Sequence, residues 1–219
     1  VNDLYGIFPM IVGSLYVTAG AMIVGVPGGL LTALYFSRFA RGRTGSFLRS
    51  GVELLAGIPS VVYGFFGLVI IVPFVRLLGP GTGLSVLAAS LILGIMILPT
   101  VITVAQSALD AVPARYYEGA LALGVDHEHA VFKVVAPAAA SGIMAAIVLG
   151  LGRAIGETMA VVMVAGNMPI IPDSLLSGVR TMTANIVLEM GYATGVVLFV
   201  FILLITMLLN VIRKRGEAR

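Results

Sequence analysis

The chain has 219 residues, of which 59% are hydrophobic and 11% charged, with a net charge of +3 and no cysteine. This composition excludes an ordinary soluble domain, and the lack of cysteine excludes disulfides and cysteine-based metal sites. Several apolar runs reach the roughly 18 residues that a helix needs to cross a bilayer. Because these runs are continuous and do not alternate, they predict helices, and we expect an all-α integral membrane protein with a single transmembrane domain over residues 1–219.

Five transmembrane helices are predicted along the chain. They cover about residues 7–36, 59–77, 84–108, 138–165 and 194–212. Pro27 in the first span and Pro99 in the third predict kinks, because a proline inside a helix removes a backbone hydrogen bond.

Two connectors between the spans differ in character. Residues 38–53 are rich in arginine and are interpreted as a basic connector. Residues 167–193 form a longer connector, and its segment 181–190 has a helix-like pattern. The sequence leaves open whether this segment lies along the membrane interface or dips back into the membrane.

A polar stretch, residues 110–137, separates the third and fourth predicted spans. Pro113 suits the first turn of a helix, and Gly124 suits a C-terminal cap with a positive φ. Asp126 can then cap a second helix. The pattern predicts two short helices joined by a glycine turn, and we call residues 110–137 the knob.

The distribution of basic residues orients the chain. If the knob is cytoplasmic, ten basic residues lie on that side of the membrane, and only Arg76 and Arg180 lie outside. The ten are Arg38, Arg41, Arg43, Arg49, Arg115, Lys133, Arg213, Lys214, Arg215 and Arg219. The split follows the positive-inside rule and predicts a cytoplasmic knob and a cytoplasmic C-terminus.

The fourth predicted span contains two charges, Arg153 and Glu157. In a continuous helix Glu157 would lie one turn beyond Arg153 on the same face. Charges at this depth are costly and face a bundle interior or a water-filled path. Two interpretations stay open: an ion pair that locks helices or subunits together, or a transport site in which the planar fork of Arg153 holds an oxyanion.

Other polar residues carry weaker signals. His127 and His129 do not share a helix face and have no further histidine or cysteine, so no metal site is predicted. The glycines do not form a P-loop, so ATP chemistry belongs to a partner and no cofactor is predicted. Ser60 and Tyr63 could donate hydrogen bonds to a substrate, although a helix-start serine and an interfacial tyrosine are the favoured interpretation.

The knob sequence EGALALGVDHEHAVFKVVAP resembles the EAA loop of ABC-importer permeases. Four residues match the spacing of that loop: Glu118, Ala120, Gly124 and Pro137. The other signature positions carry small or apolar replacements. The resemblance implies a type I permease with the MetI-like fold, in which these four residues couple the membrane helices to a cytoplasmic ATPase. Without it, the stretch would be only a polar connector.

A second resemblance concerns the string RAIGET at 153–158 and its continuation MAVVMVAGN. Together with GIPSVVYG at 57–64 and the lead VNDLYGIFP, it is similar to PstC-type permeases of phosphate importers rather than to PstA-type ones. The match begins at Val1, so the resemblance also implies that the family's first helix is missing from this sequence.

The resemblance implies a function and a set of partners. The chain would be a non-enzymatic permease subunit of a phosphate importer in a bacterial or archaeal plasma membrane, with Arg153 and Glu157 as translocation residues. Its partners would be a PstA-type second permease, two PstB-type ATPase subunits and a PstS-type periplasmic phosphate-binding protein, with no nucleic acid. The alternatives are a permease for sulfate or molybdate and a membrane scaffold or sensor that transports nothing.

Overall fold

The computed structural model describes residues 6–40, 42–189 and 191–217, with the side chains of 213–217 left out. Helices dominate these ranges, and the extended pairing found there is one isolated bridge between Gly166 and Val179. The described helices, in chain order, are α1 Phe8–Phe39, α2 Gly42–Gly57, α3 Ser60–Arg76, α4 Val86–Asp110, α5 Ala114–Ala122, α6 His127–Ala138, α7 Ala140–Gly156, α8 Met159–Val164, α9 Met182–Glu189 and α10 Tyr192–Glu217.

Each of the five predicted spans has a helical counterpart. Helices α1 and α4 and the segment Tyr192–Ile212 of α10 are each long and apolar enough to cross a membrane. Two more spans arise if α2 with α3, and α6 with α7, each count as one bent span. Helices α1 and α4 continue through Pro27 and Pro99, so neither proline divides its span. The prediction of an all-α membrane fold is confirmed.

Helix α4 lies at the centre of the bundle. Ile92, Leu93 and Ile97 on this helix are almost completely buried. Helix α1 approaches it closely, because a Cβ added to Gly25 would lie 2.5 Å from Ile97 Cγ1 and 2.7 Å from the carbonyl oxygen of Gly94. Small residues at such crossings let two backbones pack against each other, which is how membrane helices associate without a hydrophobic driving force.

The predicted basic connector at 38–53 is largely a helix, and that part of the prediction is wrong. Helix α2 runs at 99° to α3. Its apolar residues Leu48, Val52 and Leu55 recur at helical spacing, a periodicity that the high arginine and glycine content obscured. Arg49 Nη2 donates a hydrogen bond of 2.6 Å to the carbonyl of Phe36, which fixes α2 to the end of α1.

The fourth span, predicted as one helix over 138–165, is interrupted twice. It bends by 71° between α6 and α7, at Ala139. It also breaks at Glu157 and Thr158, because α7 ends at Gly156 and α8 begins at Met159. The bent candidate span covers His127–Ala138 and Ala140–Gly156, and the apolar pattern carried no signal for the second interruption.

The segment 181–190, whose placement the sequence left open, packs inside the bundle. Helix α9 covers Met182–Glu189 of it, and residue 190 lies outside the described residues. Its first turn is buried, and the amide of Met182 donates a hydrogen bond of 2.9 Å to Ser14 Oγ on α1. The first turn of the segment therefore enters the bundle, whereas Val187 and Leu188 near its other end are exposed.

Part of the charge pattern falls outside the described residues. Arg41 and Arg219 are not described, nor are the side chains of Arg213, Lys214 and Arg215. The orientation that these residues predict therefore stays a prediction. Residues 1–5 of the lead are also outside the described part of the chain.

Candidate functional site: a helix break inside the fourth span

The break at Glu157 is closed by its own side chain. Glu157 has an extended backbone, with φ −73° and ψ 131°. Its Oε1 accepts hydrogen bonds from the amides of Thr158 at 3.1 Å and Ala160 at 3.3 Å. The carboxylate thus satisfies amides that open a helix, where a negative charge is also favoured by the helix dipole.

Arg153 lies on the last turn of α7, and its side chain is exposed in the single chain. Among the described residues it forms no hydrogen bond, and the ion pair of an arginine found there joins Arg180 to Glu189. The carboxylate of Glu157 turns to the amides of Thr158 and Ala160 instead of pairing with Arg153. Glu157 keeps a helical φ of −73°, and the backbone leaves the helix only at its ψ of 131°, so its placement one turn beyond Arg153 on the same face stays a prediction.

The position of Arg153 along its span can be read from a helix contact. Gly150, three residues earlier, packs on α4, where an added Cβ would lie 2.9 Å from Val101 Cγ2. Val101 is well inside the span Val86–Asp110, and Arg153 is about 4.5 Å further along α7. A guanidinium at that depth is costly in hydrocarbon, so we expect it to face a water-filled path or a polar partner.

A residue that the sequence analysis did not single out completes the break. Thr183 Oγ1, on α9, donates a hydrogen bond of 2.9 Å to the carbonyl of Glu157. Thr183 is 5% exposed. The only local signal was a polar residue in a helix-like segment, which gave no indication of its partner.

The GIPSVVYG segment lies against the same break. Gly64 of α3 packs on α8, because an added Cβ would lie 2.9 Å from Ala160 Cα. Ser60 begins α3 after Pro59, as predicted. Tyr63 is buried, and its hydroxyl donates to the carbonyl of Leu55 at 2.8 Å; the interfacial interpretation of this tyrosine stays a prediction.

The knob has the predicted construction. Helix α5 runs from Ala114 to Ala122, Gly124 has φ +82°, and Asp126 Oδ1 accepts from the amide of His129 at 3.2 Å. Of the four residues that match the EAA spacing, Glu118, Gly124 and Pro137 are exposed and Ala120 is buried. The buried alanine packs the knob, while the exposed positions are free to contact a partner.

The knob is fixed to the membrane helices on one side. The hydroxyl of Tyr117 and Nδ1 of His127 share a hydrogen bond of 2.7 Å, and the Phe39 ring meets the His127 ring with centroids 4.7 Å apart. On α1, Ser37 Oγ donates to Asp110 Oδ1, where α4 enters the knob, at 2.5 Å, and the Arg38 guanidinium lies 5.8 Å from the centroid of the Tyr117 ring. His127 is thus half-buried rather than a surface residue. These contacts let the knob move together with the ends of α1 and α4.

Comparisons with known proteins agree with this architecture. The family model of the binding-protein-dependent transport system inner membrane component matches residues 25–216. The probable ABC transporter permease protein YqgH of Bacillus subtilis is 38% identical over 97% of this chain and 73% of its own length. The phosphate transport system permease protein PstC of Mesorhizobium japonicum is 32% identical over 100% of this chain and 76% of its own.

A solved structure of the MetNI methionine ABC transporter, in an inward-facing conformation, is similar in fold. It aligns with a TM-score of 0.67 at 20% identity and covers 97% of this chain and 94% of the matched one. That likeness supports the type I, MetI-like permease fold. From the family model and the relatives together, the chain belongs to the binding-protein-dependent transport system inner membrane components, among their PstC-type permeases.

Proposed function

We propose that this chain is one permease subunit of an ATP-driven phosphate importer and forms half of its translocation path. The relatives named as phosphate permeases support the substrate. The observation that carries the proposal is Arg153, an arginine deep inside a span, exposed in the single chain, with no partner among the described residues. The buried-pair alternative loses support because Glu157 caps α8 instead of meeting Arg153.

The chemistry of Arg153 suits a tetrahedral oxyanion. Its guanidinium offers a planar fork of N–H donors that can bind two oxygens of one phosphate. Glu157 supplies a negative charge nearby that is already hydrogen-bonded to two amides. Phosphate would therefore meet a cation that no carboxylate has neutralised, yet with a single arginine it would bind weakly enough to leave again.

The exposure of Arg153 supports a second permease, for which we propose a subunit of the PstA type. Contact with lipid at this depth would leave a bare guanidinium in hydrocarbon, which is costly. A partner helix bundle that covers this face would enclose a path between the two subunits. Expressed alone, this chain should aggregate or form homodimers that do not transport.

Coupling would pass through the knob. We place the knob and the C-terminus in the cytoplasm, where Glu118 and Gly124 contact one of two PstB-type ATPase subunits. Closure of the ATPases on ATP would move the knob together with α1 and α4, because Ser37 of α1 is hydrogen-bonded to Asp110, where α4 enters the knob, and Phe39 packs on His127. The cavity would then open outward and receive phosphate from a PstS-type binding protein.

The test is phosphate uptake by membrane vesicles that hold the complete complex, expressed per assembled complex. Arg153→Gln should lower uptake by about 10- to 100-fold, because a charged, bidentate contact is lost. Arg153→Lys keeps the charge without the fork and should lower uptake only partly. Arg43→Gln is the control, since Arg43 is an exposed arginine on α2, away from the break. Parental uptake by Arg153→Gln would overturn the proposal.

The same vesicles separate the alternatives. Uptake of sulfate or molybdate in preference to phosphate would assign the permease to another oxyanion. An assembled parental complex that takes up none of the three anions would identify a scaffold or sensor.

A further inference from the structure

We propose that Thr183 is a positioning residue that keeps the fourth span broken, and thereby keeps Arg153 separate from Glu157. The inference rests on the proposed role of Arg153 and adds to it the device that makes this arginine available. Nothing in the local sequence around RAIGET supplies that device, since it comes from a different helix, α9.

The geometry at the carbonyl of Glu157 carries the proposal. In a continuous helix this carbonyl would accept a hydrogen bond from the amide of Val161. Here its donor is Thr183 Oγ1, at 2.9 Å. The side chain of Glu157 meanwhile accepts from the amides of Thr158 and Ala160. Inside a membrane a backbone break persists only if the freed groups find such partners.

Thr183 is itself held in place by buried neighbours. The amide of Met182 donates to Ser14 Oγ at 2.9 Å, and the amide of Ala184 donates to Thr181 Oγ1 at 3.2 Å. The hydroxyls of Thr181 and Thr183 lie 3.0 Å apart. Ser14, Thr181 and Thr183 are each at most 5% exposed. Helix α9 therefore presents Thr183 to the break from a fixed position.

Two arrangements of the fourth span compete. In the broken one, Glu157 caps α8 and Arg153 is free to meet an anion. In the continuous one, Glu157 would lie one turn beyond Arg153, on the same face, and would pair with it. Thr183 favours the broken arrangement, because its hydroxyl supplies a donor to the carbonyl of Glu157 where the helix no longer does. Loss of the hydroxyl should shift the balance toward the paired form by about fivefold.

The experiment measures phosphate uptake per assembled complex for Thr183→Val, which keeps the shape but removes the donor. Uptake should fall about three- to tenfold. Thr183→Ser keeps the hydroxyl and should retain the parental rate. Thr183→Cys has a side chain of similar size with a weak donor, so its uptake rate should lie between those of the valine and serine variants. It replaces Thr183→Val in the test if the valine variant does not assemble.

Thr32→Val is the matched control. Thr32 Oγ1 also donates to a backbone carbonyl inside a span, that of Gly28, at 2.8 Å, but within its own helix and away from the break. Its loss should change uptake by less than about twofold.

A double variant distinguishes positioning from general packing. If Thr183 acts by keeping Glu157 away from Arg153, Thr183→Val should add no further loss to Glu157→Gln, because no carboxylate remains to neutralise the arginine. Effects that multiply would indicate independent roles and overturn the inference. Parental uptake by Thr183→Val would also overturn the inference, as would a Thr183→Ser variant as slow as Thr183→Val.

The Arg153→Gln variant separates this inference from the proposed function. If Arg153→Gln also keeps parental uptake, the proposed function itself fails. If Arg153→Gln is inactive while Thr183→Val is fully active, only this inference is overturned.

Discussion

The turn at Gly124 and the break at Glu157 both interrupt helices, but they are stabilised in different ways. At the knob, Gly124 adopts φ +82° and Asp126 caps the next helix from three residues away. At the break, Glu157 caps α8, but its carbonyl depends on Thr183, which is 26 residues away. The knob turn is built from neighbours in sequence, and the span break from neighbours in space.

The surroundings explain this difference. The knob is exposed, and a Cβ added to Gly124 would meet no atom within 4 Å, so water can satisfy whatever the turn leaves open. The break lies inside a span, where irregular backbone persists only in contact with protein or a water-filled cavity, and the carbonyl that it frees accepts from the buried hydroxyl of Thr183. A break in water can be specified locally, whereas a break in a membrane needs a tertiary donor.

The largest expected effect in the knob follows from this local specification. Gly124→Val should be strained by about 1–2 kcal/mol, because a β-branched residue disfavours a positive φ. The cost comes from the backbone alone and not from a clash, since the space around the added side chain is empty. We expect phosphate-stimulated ATPase activity of the complete complex to fall about tenfold, with assembly retained.

A neighbouring glycine provides the control. Gly119 also has no atom within 4 Å of an added Cβ, but it lies within α5, where alanine is favoured. Gly119→Ala should therefore leave coupling unchanged. Normal coupling in Gly124→Val, or equal losses in both variants, would show that the turn is not what transmits movement.

Substitutions of Glu157 sharpen the comparison at the break. Glu157→Ala removes the cap from the amides of Thr158 and Ala160 and should slow uptake about fivefold. Glu157→Gln keeps an acceptor oxygen but loses the charge, so we expect about a threefold loss. Turnover should suffer more than phosphate capture, because capture belongs to the external binding protein. The measurement is uptake at saturating and limiting phosphate; an alanine variant as fast as the parent would contradict the capping role.

The smallest expected effect is the loss of the cap in the knob. Asp126→Ala removes the acceptor for the amide of His129 and should destabilise the first turn of α6 by about 1 kcal/mol. Because the knob is also held by Tyr117 and His127, uptake should change by less than about twofold. Hydrogen exchange at the His129 amide should become about fivefold faster. An unchanged exchange rate there would mean that this cap is not needed.

The sequence predicted some elements well because their signals are local. The five apolar runs, the turn at Gly124 and the cap at Asp126 all follow from composition, φ preference and capping chemistry. Helix α2 was missed because arginine and glycine in residues 38–53 outweighed a helical period that was present. The buried position of Tyr63 was missed because an amphipathic side chain can equally well lie at the interface.

By itself, the sequence determined that the chain crosses a membrane as helices. Its apolar runs are long enough to span a bilayer, and within the bilayer a continuous apolar run satisfies its backbone hydrogen bonds by forming a helix. It also determined that the fourth span contains an arginine deep inside it, Arg153, together with Glu157. Only the tertiary structure decided that Glu157 does not pair with Arg153, because the carboxylate of Glu157 binds two amides that are free only where the helix is interrupted. The donor that interrupts it, Thr183, reaches the break through the packing of α9 against α1, and such a contact leaves no periodic trace in the sequence.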